Sequence, residues 1–358
     1  MRSTGSPPGT LLTAAAYWQV IKPLLPRAAF NAAPGRVWVL LTHLLIVGAG
    51  MAASIISHHL AIQLLLIPVI GHGMAGVTFL AHDLSHGSII RSAKRRYPLE
   101  VLSWAVIYTA TTMWWKVHVK THHLQTQTAR DSDRIPFRRE KNLGTELFKP
   151  TYPHREMPWW NPLVGLQVAL YVIGNNLVSL RYGLDPKRPD SPYVYAYSRK
   201  DWAKVLFECV LLVGLHGAIY WAAGGFFGFL LADLLPFCIG SSIMMAYIAT
   251  NHGLNPLTET VDPLVGSTTV EVPPLVAALH SNFAYHTEHH LFPAMDPRWY
   301  PEVGRLLRAH FPDRYRSAPI GEVWRQLYDR SPYLEDPAVD PTPIGSTEPG
   351  SAAVELAQ

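Results

Sequence analysis

Four long apolar runs constrain this chain more than any other feature of its sequence. They cover residues 37–57, 60–80, 205–223 and 226–249, and the first two contain no charged side chain. A hydrocarbon layer about 30 Å thick is crossed by a helix of roughly 20 apolar residues, so each run is long enough to span it. Only two residues separate the members of each pair. We therefore predict four transmembrane helices arranged as two hairpins.

Composition and charge agree with a membrane protein that keeps much of its chain outside the lipid. Of the 358 residues, 49% are hydrophobic and 16% are charged, whereas about 25% are charged in an average soluble protein. Eighteen of the 30 Lys and Arg residues lie between residues 82 and 200, and the two short turns contain none. Because short cytoplasmic loops carry the Lys and Arg excess, both termini and the middle of the chain are predicted to be cytoplasmic.

The apolar runs also divide the chain into parts. Residues 1–36 form a predicted cytoplasmic N-terminal segment, residues 37–310 the membrane domain, and residues 311–335 a cytoplasmic C-terminal segment. Residues 336–358 are rich in Pro, Gly, Ser and Ala and poor in aromatic residues. Such a segment cannot bury enough apolar surface to become ordered, so we predict a disordered tail.

Two further apolar stretches do not qualify as spans. Residues 99–115 and 163–180 are shorter or interrupted by polar residues, and we interpret them as interfacial or partly re-entrant helices. Asp233 lies inside the fourth apolar run. A carboxylate in lipid is costly unless it has a partner, so we expect it to make a structural hydrogen bond.

Histidines are the second conspicuous feature, since eight of the 17 fall in three short clusters. In HDLSH two histidines are four residues apart, HVKTHH repeats this spacing and adds a neighbour, and HTEHH combines a spacing of three with a neighbour. Such spacings place imidazoles on one face of a helix, where they can reach one metal. The members are His82 and His86, then His118, His122 and His123, then His286, His289 and His290.

These imidazoles predict two metal ions rather than one. A single ion takes about four to six protein ligands, and eight imidazoles exceed that number. His252, just beyond the fourth apolar run, is a ninth candidate ligand on the same predicted side of the membrane. Imidazole suits zinc, copper, iron and nickel, so the type of donor alone leaves the element open.

The motifs HDLSH, HVKTHH and NFAYHTEHHLFP, in this order around two pairs of apolar runs, resemble those of the membrane fatty acid desaturase superfamily. The resemblance covers roughly residues 37–308. It implies an all-α integral membrane fold: four transmembrane helices in two hairpins, and a cytoplasmic helical cap with a histidine-rich di-iron site. The residues that it assigns to the two irons are His82, His86, His118, His122, His123, His252, His286, His289 and His290.

The resemblance also implies the reaction and its partners. O2, two electrons and two protons would be consumed while two hydrogens leave a fatty acyl chain, in a membrane lipid or an acyl thioester. The sequence has no recognisable haem domain or Cys-rich cluster site, so a separate ferredoxin or cytochrome b5-like electron donor is expected. Basic runs at residues 91–96 and 138–141 are candidate docking sites for an acidic carrier. The expected location is a bacterial cytoplasmic membrane, with no nucleic-acid partner.

Other functions stay open at this point. The form of the first histidine cluster, followed by Gly-Ser, is also similar to that of carotenoid ketolases, and carotenoid or alkane hydroxylases share the same histidine pattern. A metal transporter is a remote alternative, because transporters place their ligands near the middle of the bilayer. The histidine clusters here lie instead at the ends of the apolar runs.

Several neighbours of the clusters are candidates for orienting the imidazoles. A ligating imidazole usually donates its second N–H to a carboxylate or a carbonyl. The nearby polar residues are Asp83, Asp131, Asp133, Glu288 and Asn282. No metal role is predicted for the remaining histidines, including His43, His72, His216 and His280.

Overall fold

The structure is a computed structural model that describes residues 10–57, 59–131, 133 and 197–329. This part of the chain is mostly helical, and four of its helices are long and apolar enough to cross a membrane. Predictions for residues 138–141, 163–180 and 336–358 lie outside the described residues. The four long helices are α2 (Arg36–Ser57), α3 (Leu60–Ser85), α6 (Arg199–Ala222) and α7 (Phe226–His252).

Shorter elements surround these helices. Among the described residues, one α-helix precedes them, two lie between α3 and α6, and five α-helices and two strands follow α7. Their bounds are α1 (Ala14–Ile21), α4 (Ala93–Val106), α5 (Thr111–Trp114), α8 (Pro263–Gly266), β1 (Thr269–Glu271), α9 (Pro274–Leu279), α10 (His286–Leu291), α11 (Tyr300–His310), β2 (Ser317–Pro319) and α12 (Ile320–Asp329). The α5 helix continues as a π-helix over Trp115–His122 and a last turn over His123–Gln125.

The prediction of an all-α fold is wrong in one detail. Strands β1 and β2 form a two-stranded parallel sheet in which Val270 is paired with Ala318. The pairing joins residues on both sides of the predicted boundary at residue 310. Three-residue strands are too short to produce a recognisable alternation of apolar and polar residues, so the sequence gives no signal for them.

The long helices extend beyond the predicted spans for local reasons. Helix α6 begins at Arg199, six residues before the apolar run, because Ser198 and Asp201 form a reciprocal capping box. Helix α3 continues to Ser85 and α7 to His252, so both carry histidines at their ends. Between α6 and α7, Gly224 and Gly225 adopt φ of 72° and 114°, which favours glycine.

Helix α3 lies at the centre and packs against both α2 and α7. Its residues 71–76, GHGMAG, match the letters of the nucleotide-binding pattern GxGxxG, yet they lie in the middle of a helix and not at a strand-to-helix turn. The outer helices expose apolar side chains, with Trp221 at 85% and Leu206 at 68%. Such surfaces would be unfavourable in water and fit a membrane protein.

The apolar stretch at residues 99–115 is not one helix but a bent segment of two. Helix α4 ends at Val106, and the break before α5 contains Tyr108, which has φ of 59°. Asp233 accepts hydrogen bonds from the Tyr108 hydroxyl at 2.7 Å and forms another with His216, as predicted for a carboxylate in a span. Glu208 of α6 accepts the Thr112 backbone N–H at 2.8 Å. Two carboxylates from the long helices therefore hold this break in place.

The N-terminal segment is attached to the part of the chain that follows α7. Asp262 is completely buried and accepts hydrogen bonds from the Tyr17 hydroxyl at 2.9 Å and from Arg314 at 2.6 Å. The indole N–H of Trp18 also donates to the backbone carbonyl of Leu291, at the end of α10. Helix α1 therefore supports the helix that carries the third histidine cluster.

Candidate metal centre

All nine predicted ligands converge at one end of the long helices. They come from four elements: the end of α3, the π-helix after α5, the end of α7, and α10. Each side chain is buried or nearly so. The structure separates them into two groups in which the candidate ligand atoms lie within 4.8 Å of one another. The first group is His82, His86, His118, His123 and His289, and the second is His122, His252, His286 and His290.

The division into groups does not follow the clusters in the sequence. His118 and His122 are four residues apart, yet the π-helix directs His118 to the first group and His122 to the second. Helix α10 likewise gives His289 to the first group and His290 to the second. A four-residue spacing keeps His82 and His86 in one group but separates His118 from His122, because a regular helical period does not describe a π-helix.

Polar neighbours fix the outer nitrogen of several imidazoles. Nδ1 of His122 lies 2.9 Å from Asp131, and Nδ1 of His252 lies 2.9 Å from the backbone carbonyl of Gly266. A carbonyl oxygen only accepts, and a carboxylate accepts when ionised, so Nδ1 carries the proton and the Nε2 lone pair faces inward. The remaining Nδ1 partners are Asp83 for His82, Asp133 for His118, Tyr300 for His289 and Thr126 for His290.

The inward nitrogens lie close together, as ligands around a shared metal ion would. Nε2 of His286 lies 2.8 Å from Nε2 of His252 and 3.2 Å from Nε2 of His290, and the third side of this triangle is 3.3 Å. Lone pairs at these distances repel one another unless a metal ion or a proton is present. In the first group, Nε2 of His82 and of His86 is buried without a hydrogen-bond partner among the described residues. The donor set therefore fits two metal ions.

Burial also keeps most of these imidazoles neutral, the form that binds metals. It lowers the pKa of His86, His118, His123, His286, His289 and His290, and neighbouring imidazoles lower it further. His122 is the exception: burial lowers its pKa, but the charge and hydrogen bond of Asp131 outweigh burial and raise it.

Two of the predicted orienting residues have other roles. Glu288 accepts hydrogen bonds from Thr269 and Tyr315 rather than contacting an imidazole, and burial raises its pKa to about 7. Asn282 donates to the backbone carbonyl of Pro297. The Glu288 contacts connect α10 to β1 and to Tyr315. Sequence reasoning missed Tyr300 as a partner of His289, because the carboxylates near the clusters were the expected partners and no motif marks a tyrosine for this role.

Asp131→Asn should weaken metal binding by roughly 10–100-fold, the usual effect of losing a residue that orients a metal ligand. Asn has the same shape but lacks the charge that His122 faces, and its amide cannot accept both the Gln127 and Asp133 backbone N–H groups as the carboxylate does. Competition with a chelator measures the change. Asp313→Asn at an exposed position is the control. Equal metal affinity in the two variants would contradict the orienting role.

Comparisons with known proteins agree with this geometry. The family model described as fatty acid desaturase matches residues 57–319. The chain is also 26% identical over 327 residues to the acyl-lipid (7-3)-desaturase of Rebecca salina, a match that covers 86% of this chain and 71% of that protein. The matched region contains all nine histidines. The resemblance seen in the sequence is thereby confirmed, and the chain belongs to the fatty acid desaturase family.

Proposed function

We propose that this protein is an O2-dependent acyl-lipid desaturase of the membrane, in which the nine histidines hold two irons. One observation carries the proposal: the nine histidines predicted as ligands, and no other residues, make up the two groups of close ligand atoms found among the described residues. The name of the Rebecca salina relative supports a lipid acyl chain as the substrate. An acyl thioester is the other form of substrate that the sequence leaves open.

Iron is favoured over zinc because zinc has no redox chemistry. When bound, the two irons would supply the means to reduce O2 and to remove two hydrogens from an unactivated alkyl chain. The protein's own residues prepare this chemistry. Asp131, Asp133 and Gly266 orient imidazoles through Nδ1, and burial of the two groups keeps bulk water away from the ligand nitrogens.

The electrons would come from a ferredoxin or a cytochrome b5-like protein that docks on the cytoplasmic side. Part of the proposed basic docking run is engaged within the protein, since Arg91 donates to the Phe30 carbonyl and Arg96 pairs with Glu100. Both termini and the metal centre would face the cytoplasm of a bacterial cell, in keeping with the concentration of Lys and Arg between residues 82 and 200.

Ketolation or hydroxylation of carotenoids and hydroxylation of alkanes are not favoured by the relatives found, whose descriptions name fatty acid and acyl-lipid desaturases. A metal transporter is also disfavoured, because the histidine groups lie at the ends of α3 and α7 and not near their middle.

Expression in a host with a defined lipid profile tests the proposed function. New double bonds in acyl chains are expected in lipids extracted from cells that contain the protein and a matching electron donor. Mass spectrometry of fatty acids and pigments distinguishes the reactions, since oxygenated products with unchanged unsaturation would refute desaturation. A variant with His122 and His286 both replaced by alanine provides the inactive control.

A further inference from the structure

Three histidines outside the two metal groups lie close together elsewhere in the fold. His43 of α2 lies 6.4 Å from His72 of α3, and His72 lies 5.5 Å from His280, measured between ring centroids. His280 directly follows α9. The three residues come from separate segments of the chain, so their approach is a product of the fold. We call them the histidine trio.

The packing around the trio makes room for it. A side chain at position 76 would overlap the imidazole of His43, so Gly76 allows α2 and α3 to enclose this ring. The three rings do not form a third metal group, because the described residues contain only the two groups of close ligand atoms given above. A polar role other than metal binding would account for them.

The trio lies beside surface that faces lipid. Ile46 is exposed three residues after His43, and Val69 is exposed three residues before His72, so each lies on the same helical face as its histidine. Leu279, just before His280, is also exposed, and Leu275 of the same short helix is 71% exposed. All four apolar side chains belong on the lipid side of a membrane protein.

Hydrogen bonds around His280 leave a donor without a partner. Burial and the nearby His72 and His43 lower the pKa of His280 to about 4, so its ring is neutral at pH 7. The Tyr247 hydroxyl lies 2.7 Å from Nδ1 and has no other partner among the described residues. Donation to Nδ1 gives this hydroxyl its one acceptor among the described residues, and that pairing places the proton of neutral His280 on Nε2. That N–H makes no hydrogen bond within the described part of the chain.

The other two rings also lack partners. Nδ1 of His43 is buried without a hydrogen bond among the described residues. His72 is half-buried and makes no hydrogen bond to a described residue. An unpaired polar group beside hydrocarbon is costly, by several kcal/mol in lipid. A neutral imidazole N–H needs an acceptor oxygen. At a surface that faces lipid, the ester carbonyl at the head of an acyl chain is an acceptor oxygen that the substrate itself provides.

We propose that the histidine trio binds the ester carbonyl oxygen of the substrate lipid, with Nε2–H of His280 as the donor. This inference rests on the proposed function for the identity of the substrate. His43 and His72 complete a polar pocket around the carbonyl, and Tyr247 is a positioning residue that fixes the tautomer of His280.

The trio is also connected to the metal centre by packed rings. His280 contacts Phe79 at 5.2 Å, Phe79 contacts Phe283 at 5.0 Å, and Phe283 contacts His82 at 5.1 Å, between ring centroids. Along α3, His72 and His82 are separated by ten residues, or about 15 Å. Holding the carbonyl at a fixed distance from the metal ligands fixes which carbons of the acyl chain lie beside them. The trio would thereby select the position of the double bond.

Infrared spectroscopy of a labelled carbonyl tests the proposal without relying on activity. The iron-loaded protein is placed in nanodiscs of ether-linked phospholipid, which lack ester carbonyls, and a phospholipid with ¹³C-labelled ester carbonyls is added. A carbonyl band shifted to lower frequency is expected, at about one bound lipid per protein, because a hydrogen bond weakens the C=O bond. His280→Phe should remove this band, and Tyr247→Phe should reduce it.

Two controls separate the possible results. His59→Phe, at an exposed position beyond the other end of α3, should leave the shifted band unchanged. All variants should keep the wild-type iron content, which shows that they are folded. Absence of the band in the wild type, or its survival in His280→Phe, overturns the proposal. If the band behaves as expected but the wild type makes no double bonds in cells, the proposed function fails while the carbonyl site stands.

Discussion

Replacing His286 by alanine is expected to abolish desaturation and to lower the iron content from about two ions to about one per chain. His286 is completely buried, and its Nε2 lies within 3.2 Å of Nε2 of both His252 and His290. The second group would keep three of its four imidazoles, whereas the first group of five would be intact. Metal analysis of the purified protein and product analysis in cells provide the two measurements.

A matched substitution distinguishes loss of a ligand from general damage. His310 is an exposed histidine at the end of α11 that belongs to neither group, so His310→Ala should keep full iron content and activity. Because α10 lies outside the four long helices, His286→Ala should still insert into membranes at the wild-type level. Wild-type activity and iron in His286→Ala would remove this residue from the metal centre.

The sequence was sufficient for the parts of the fold with strong periodic or chemical signals. The uncharged run at residues 37–57 corresponds to α2, and the spacing of His82 and His86 places both in one group, because a regular helix carries them. His252, chosen for its place at the end of an apolar run, lies against His286. These are local patterns that one stretch of chain is enough to reveal.

Other features depend on contacts that no local pattern records. The π-helix that separates His118 from His122 is not apparent in the spacing of HVKTHH. Glu208 lies within an apolar run, and its partner Thr112 is 96 residues away. Tyr300 meets His289 only after α11 packs against α10. Each depends on tertiary packing, which spacing along the chain does not reveal.

The largest effect on stability is expected from Asp262→Ala, at about 3–5 kcal/mol, because removing one partner of a buried ion pair leaves the other charge uncompensated. Asp262 is fully buried, and Arg314 is 15% exposed in its side chain. The substitution also removes the acceptor of the Leu12 backbone N–H and of the Tyr17 hydroxyl. Chemical denaturation of the detergent-solubilised protein measures the loss.

The effect should extend from the N-terminal segment to the metal centre. Asp262 holds the Tyr17 side of α1, and Trp18 of the same helix donates to the Leu291 carbonyl at the end of α10, which carries His286 and His289. Asp262→Ala should therefore release iron faster than the wild type and make the N-terminal segment more accessible to protease. Asp262→Asn keeps an acceptor oxygen, so its effect on both quantities should be smaller. Arg305→Ala, in an exposed ion pair with Glu302, should change neither quantity. Equal iron release in Asp262→Ala and Arg305→Ala would mean that α1 does not support the metal centre.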